Sequence, residues 1–293
     1  MEVAKTRGAV RSRGAFTLVE LLVVTGIIAL LITILLPVVS QLQAQGMQIK
    51  CANNLRQLGM VILNYSAEES NGGFPRTKFD PKKPQLQLDN AGYMVEDSFG
   101  NKGYVGENNV PASLFLLLKT QNVSPWMFIC PNTSATPDDA AEHPKLSSNW
   151  KSIPENMTYS LAAPYPSQAA LKNGFLWKNT MSPQFAIAGD NNPGTRGGAD
   201  PPNNVVSPKH TDSAIKMAAA NSNNHQNRGQ NVLYADAHVE FSTTPYCGAM
   251  RPVGFRDNIY TAGAADNGTT DDKALPVDKY DSVLLPTDDH GGK

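Results

Sequence analysis

With 25 basic and 26 acidic side chains among 293 residues, the chain carries a formal charge of −1. That balance gives no electrostatic footprint for a nucleic-acid partner. Hydrophobic residues make up 41 %, and many sit in one N-terminal block; the roughly 220 residues that follow residue 70 are enough for one sizeable core or two small ones.

From Phe16 to Val39 run 24 residues whose only ionisable member is Glu20. As a helix rising about 1.5 Å per residue they would reach roughly 36 Å, enough to cross a ~30 Å hydrocarbon core. Lys5, Arg7, Arg11 and Arg13 precede the block against one acid, Glu2. The positive-inside bias therefore predicts that residues 1–15 stay in the cytoplasm and the rest of the chain leaves it. A secretory signal has a shorter apolar core followed by a small-residue cleavage site, and no such site follows Val39, so the segment reads as a retained anchor. A carboxylate inside such a segment is costly and marks a functional position by default, the plainer alternative being that Glu20 snorkels to the headgroups.

Beyond Pro37, where a kink is expected, Cys51, Leu55, Leu58, Ile62 and Tyr65 follow helical spacing and form one apolar stripe. The helix should stop near Asn71-Gly72-Gly73, with Pro75 behind it. Residues 40–70 thus read as an extension of the anchor that packs on a head formed by residues 71–293.

The head is rich in Asn, Gly, Pro, Ser and Thr, which predicts short strands among long loops. A helix is expected over Ala112–Lys119. Strands are expected at Met127–Cys130, Tyr159–Ala162, Phe185–Ala188, Val232–Tyr234 and His238–Phe241. The last two strands form a hairpin through Ala235-Asp236-Ala237. Residues 71–110 and 191–224 read as extended loops. The acidic segment from about residue 261 reads as a mobile tail in which VDKYDSVLLP could add an edge strand. The expected class is α+β, a long N-terminal transmembrane helix leading into a loop-rich, mainly antiparallel β head.

Cys51, Cys130 and Cys247 form no C-x-x-C cluster. In an oxidising compartment two could pair; Cys130 with Cys247 is preferred because Cys51 falls in a helix, and three unpaired buried thiols are the alternative. Asp190, His210, His225, Asp236 and His238 could be assembled into a metal or acid–base site, but their spacing matches no known metal or catalytic motif. Hydrogen bonding in loops is the preferred reading, and no enzyme activity is expected.

The run from the basic leader through Gly14-Ala15-Phe16-Thr17-Leu18-Val19-Glu20-Leu21 resembles the class III signal of type IV prepilins and type II secretion pseudopilins. The resemblance implies cleavage by a membrane prepilin peptidase between Ala15 and Phe16, with methylation of the new Phe16 amine. Glu20 would then be the fifth mature residue, where the family pairs an acid with the N-terminal amine of a neighbouring subunit. Pro37 falls where many pilins place a helix-kinking proline. Ala15 departs from the family, which most often has Gly at that site.

A second resemblance is carried by CANNLRQLGMVILNYSAEESNGGFP (residues 51–75), by the stretch around Phe128-Ile129-Cys130-Pro131, by FAIAGDNNPG (185–194) and by HQNRGQNVLYADAHVEF (225–241). These are similar to a large bacterial family of prepilin-like proteins of unknown function with a C-terminal H-x9-D-G motif. Here His225 and Asp236 carry that motif at one residue longer spacing, and Ala237 replaces its glycine. If the turn keeps positive φ, Ala237 should cost about 1 kcal/mol. Pseudopilin resemblance also implies a possible calcium site in the C-terminal loops. Asp236, Asp266, Asp271 and Asp272 offer oxygen ligands there, without EF-hand spacing.

The expected function is a pilin-like subunit anchored in the bacterial inner membrane. Its partners would be prepilin peptidase, the membrane lipid and other pilin-like subunits, met through the N-terminal helix of a type II secretion or type IV pilus-like system. The alternatives are a non-polymerising anchored ectodomain that binds a surface ligand, and an extracytoplasmic hydrolase.

Overall fold

The computed structural model describes residues 16–83, 90–97, 105–139, 144–194, 208–263 and 275–287. It divides into two units, Met1–Gln45 and Gly46–Lys293. The leader with Ala15, and Asp266, Asp271 and Asp272, lie outside the described residues.

Helix α1 (Leu18–Glu68) is continuous through Pro37. It is long and apolar enough to cross a membrane. In its first part Leu22, Ile27, Leu31 and Leu35 are exposed, as are the residues between them, so every face is apolar. A helix that is hydrophobic all round needs an apolar surrounding. From Cys51 the burial becomes one-sided: Cys51, Leu55, Leu58 and Ile62 are fully buried and Tyr65 nearly so, on the stripe their spacing predicts. The chain leaves the helix through Gly72, whose φ of +67° a side chain would strain.

The core of the head is a five-stranded antiparallel sheet, ordered β4-β3-β2-β1-β7. Its strands are β1 (Tyr159–Ala162), β2 (Ala186–Asp190), β3 (Gln230–Tyr234), β4 (Val239–Ser242) and β7 (Leu284–Leu285). Strands β1, β2 and β3 are buried at every residue, as in a layer covered on both faces. Strand β4 is partly open along its length, as an edge allows. A second, two-stranded sheet pairs β5 (Tyr246–Met250) with β6 (Arg256–Asn258). The head is therefore α+β with an antiparallel sheet, as the sequence predicts.

Helix α1 reaches the sheet at Gly59. A Cβ placed there would lie 2.6 Å from Leu233 Cδ1 and 3.1 Å from Ala237 Cβ, so the approach is possible because position 59 has no side chain. Helix α2 (Val110–Gln121) starts where the Asn109 side chain accepts from the Ala112 amide. It ends at Asn122 in the left-handed conformation. Trp150 packs edge-on against Phe115 and Phe128 and donates its indole N–H to the Pro111 carbonyl.

The Asn-rich composition acquires a physical role in the loops. Asn192 Nδ2 donates to the carbonyls of Tyr260 and Leu284, and Asn108 Nδ2 to those of Asp80 and Lys83. Side-chain amides thus supply hydrogen bonds to loop carbonyls and to one carbonyl of β7.

Several expectations change. Met127–Cys130 is not a strand. Pro125 opens a 3-10 turn over Pro125–Phe128, with its fixed φ placed at the first helical positions. The stretch 191–224 contains α5 (Ala214–Ala218), whose first turn is capped by Ser213, and a 3-10 turn at Asn223–His225. Two further short helices, α3 (Ile153–Asn156) and α4 (Gln168–Lys172), lie among the loops. Part of the anticipated mobile tail is core. Val283, Leu284 and Leu285 are fully buried, and β7 pairs with β1 through Leu161–Leu285 and Ala162–Leu284, forming the edge strand foreseen in VDKYDSVLLP.

Candidate functional site

Three places hold the residues singled out in the sequence. The first is the start of α1. Thr17 and Glu20 exchange hydrogen bonds there: the Thr17 amide and hydroxyl donate to Glu20 Oε2, and the Glu20 amide donates to Thr17 Oγ1. This is a capping box, T-L-V-E, which satisfies amides that the first turn leaves without carbonyl partners. Sequence reasoning weighed Glu20 as an assembly residue or a snorkelling acid and missed this local role, although the S/T-x-x-E spacing is its signature.

The second place is the β3–β4 hairpin. The Ala237 amide donates to the Tyr234 carbonyl, and the Tyr234 amide donates to the His238 carbonyl. Ala237 has φ +67°, the left-handed residue of a three-residue hairpin loop, a conformation that glycine adopts without strain. Asp236 Oδ1 accepts from the His238 amide at 3.1 Å and also bonds the His238 ring, which stacks on Tyr234. Asp236 and His238 therefore serve the turn, through Asp236 Oδ1.

The third place is a buried junction beneath α1. Cys51 of α1 and Cys130, just after the 3-10 turn, form a disulfide with Cα atoms 5.1 Å apart. The expected Cys130–Cys247 pairing is thus corrected. A helical position does not disqualify Cys51, because it lies on the buried stripe and projects its sulfur into the head. Cys247 in β5 is a free buried thiol, pushed up to about 12 by burial.

Against the disulfide lie Asp190, the last residue of β2, and His225, the last of its 3-10 turn. His225 Nε2 is 3.2 Å from Asp190 Oδ2, 3.1 Å from Asn231 Nδ2 and 4.0 Å from Cys130 Sγ. Asp190 Oδ2 also accepts from the Asn231 amide at 2.6 Å and its Nδ2 at 3.0 Å. Asp190 Oδ1 accepts from Asn224 Nδ2 at 3.3 Å. The carboxylate is fully buried and fully hydrogen-bonded, the condition under which a buried charge is tolerated. Burial first, and the Asp190 charge second, push the neighbouring Tyr159 and Tyr260 phenols well up.

The junction unites Asp190 and His225 but not the other three candidates. His210 stacks on Phe255 at 4.3 Å, and Asp236 and His238 stay together on the hairpin. His225 thus secures the loop that enters β3, while Asp236 shapes the turn that leaves it.

One group escaped sequence reasoning altogether. Arg251 is buried and donates to Asp257 Oδ1 from Nε (2.8 Å) and Nη2 (2.6 Å), to Asp278 Oδ2 from Nη1 (2.8 Å) and to Asp281 Oδ1 from Nη2 (2.9 Å). Burial, then the Asp281 charge, raises Asp257; burial pushes Asp281 up to about 7. The only sequence signal was the apolar run that follows Asp281, which marks the segment as packed.

No protein-family model, curated protein or solved structure matches the chain.

Proposed function

We propose that the chain is a membrane-anchored, pilin-like subunit, inserted by residues 16–39, processed before Phe16 and assembled with related subunits through α1. The supporting observation is the two-part character of that single helix. It is apolar on every face where it would meet lipid or other apolar helices, with one acid in its first turn, and it then becomes one-sided where it enters the head's core. Removal of the leader would place a free amine four residues before Glu20. In an apolar bundle an amine and a carboxylate from neighbouring subunits are each costly alone and tolerable as a pair, and such a pair fixes axial register. The basic leader orients the head away from the cytoplasm, toward a bacterial inner-membrane exterior or a filament.

The capping box supports a second reading, a non-polymerising anchored ectodomain in which Glu20 serves only its own helix. The hydrolase reading receives less support: the Asp190 and His225 side chains are closed off from solvent, where no substrate reaches them. A structural role for both is the better account.

Intact and N-terminal peptide mass of the protein from its native membrane tests the processing, with a mature chain beginning at N-methylated Phe16 as the expected result. Retention of residues 1–15 would sink it. Glu20→Gln then separates cap from assembly, because glutamine also closes a capping box but carries no charge. The variant should insert normally and lose the crosslinked oligomers of the wild type. Unchanged oligomers would leave Glu20 as a cap alone.

A further inference from the structure

The disulfide junction brings together more chemistry than a disulfide uses. Cys51 comes from α1, Cys130 from the segment after the 3-10 turn, Asp190 from the end of β2 and His225 from the loop before β3. One ligand atom from each, two sulfurs, an imidazole nitrogen and a carboxylate oxygen, lies within 4.8 Å of all the others, and all four residues are buried. We propose that these four side chains form a zinc site in the reduced chain, so that metal and disulfide are alternative closures of one junction.

The donor set suits the ion. Zinc takes four ligands from Cys, His and Asp in a tetrahedron, at about 2.3 Å to sulfur and about 2.0–2.2 Å to nitrogen and oxygen. Ligand atoms around such a centre sit about 3.3–3.8 Å apart. The two sulfurs must separate to that spacing and the widest pair must close by about an ångström, which is side-chain movement. The outer shell is already in place: Asn231 and Asn224 hydrogen-bond the Asp190 carboxylate and orient it, as partners of metal-binding carboxylates do. His225 Nε2 faces both an acceptor, Asp190 Oδ2, and a donor, Asn231 Nδ2. Nε2 is also the ring nitrogen nearest Cys130 Sγ, so it is the atom that would meet the ion.

The charge also balances. With His225 neutral, the disulfide form carries one negative charge, on Asp190. Zinc adds two positive charges and the two cysteines become thiolates, which again leaves one negative charge. The exchange therefore adds no net charge to a buried region, the main energetic obstacle to placing an ion there.

The chemistry of the two closures is complete. Synthesis delivers two thiols. A disulfide donor joins Cys51 Sγ to Cys130 Sγ, taking up two electrons and two protons and leaving as a dithiol. Where no such donor acts, Zn2+ binds both sulfurs and displaces their two protons to solvent. Metal affinity accordingly rises with pH and is absent once the sulfurs are joined.

Full-length chain in detergent, purified under a phosphine reductant, is titrated with Co2+ as the spectroscopic probe and then with Zn2+. The reduced wild type should take up one ion per chain, with thiolate-to-cobalt charge transfer and the ligand-field bands of a tetrahedral centre, and Zn2+ should displace the cobalt. The oxidised chain should take up none. His225→Ala should lose the tetrahedral bands or weaken binding at least about tenfold, whereas Cys247→Ser should bind as the wild type does. Lack of stoichiometric uptake by the reduced wild type overturns the proposal without reference to any variant. So does uptake that survives Cys51→Ser, or that disappears in Cys247→Ser.

Discussion

Leu30 and Leu58 lie on the same helix, yet they meet different surroundings. Around Leu30 the sequence is apolar at nearly every position and the side chains are exposed. Around Leu58 the buried apolar residues recur every three or four positions, with Gly59 and Ser66 buried beside them, while the opposite side of the helix is open. The continuous pattern needs an apolar solvent, while the striped pattern needs a protein surface on one side. One uninterrupted helix thus changes what it asks of its environment without changing its backbone.

The sharpest test of the head's side of that comparison is Arg251→Ala. It would strand Asp257 and Asp281 as buried carboxyls without their cation, and about 3–5 kcal/mol of stability should be lost in chemical denaturation. The same group predicts a pH dependence. Asp281 is pushed up to about 7 by burial, so it holds its proton in the folded chain at pH values where the unfolded chain, at about 3.9, has lost it. Its contribution is complete below the unfolded value and is lost as pH rises through the folded one. Thermal midpoints should therefore fall from about pH 5 to about pH 8, and Asp281→Asn should flatten the slope. A wild-type midpoint that climbs over this range would contradict the burial argument.

A paired truncation addresses the helix itself. Leu58→Ala should cost the head about 2–5 kcal/mol, whereas Leu30→Ala should leave its unfolding within about 0.5 kcal/mol of the wild type. Equal effects would break the distinction between the two segments. Gly59→Ala is expected to cost about 1–3 kcal/mol, because the new methyl would meet Leu233 and Ala237. The smallest effect belongs to Ala237→Gly. Relief at φ +67° is partly offset by a lost buried methyl and a more flexible unfolded chain, so a gain of about 0.5 kcal/mol is expected in the same denaturant titration.

How far the sequence could be read follows the range of the interactions. Helix α1, α2, the hairpin through Asp236 and the edge strand near Leu284 were legible, because periodicity, caps and turn residues lie within a few positions of one another. The positive φ at Ala237 was anticipated only through the resemblance, which places glycine at that turn position. The disulfide was not: Cys51 and Cys130 are 79 residues apart, and the stripe that turns Cys51 toward the head does not identify its partner. Arg251 and its aspartates were equally opaque, because charge counts treat Asp278 and Asp281 as an acidic surface until the fold buries Asp281 and partly covers Asp278. The Asp190–His225 contact joins the end of one strand to the loop before another, and only the sheet order brings those ends together.

The edge strand β7 has a consequence for the order of events during biosynthesis. Residues 275–287 are made after every other described part of the head, and they supply both the strand that completes the sheet beside β1 and two of the three aspartates that neutralise Arg251. While these residues are still in the ribosomal tunnel, the earlier chain has an open sheet edge and an underpaired buried cation. Such a chain cannot lock into its final form until that strand docks. The segment therefore acts as a latch: one docking step closes the sheet beside β1 and completes the counter-charges of Arg251.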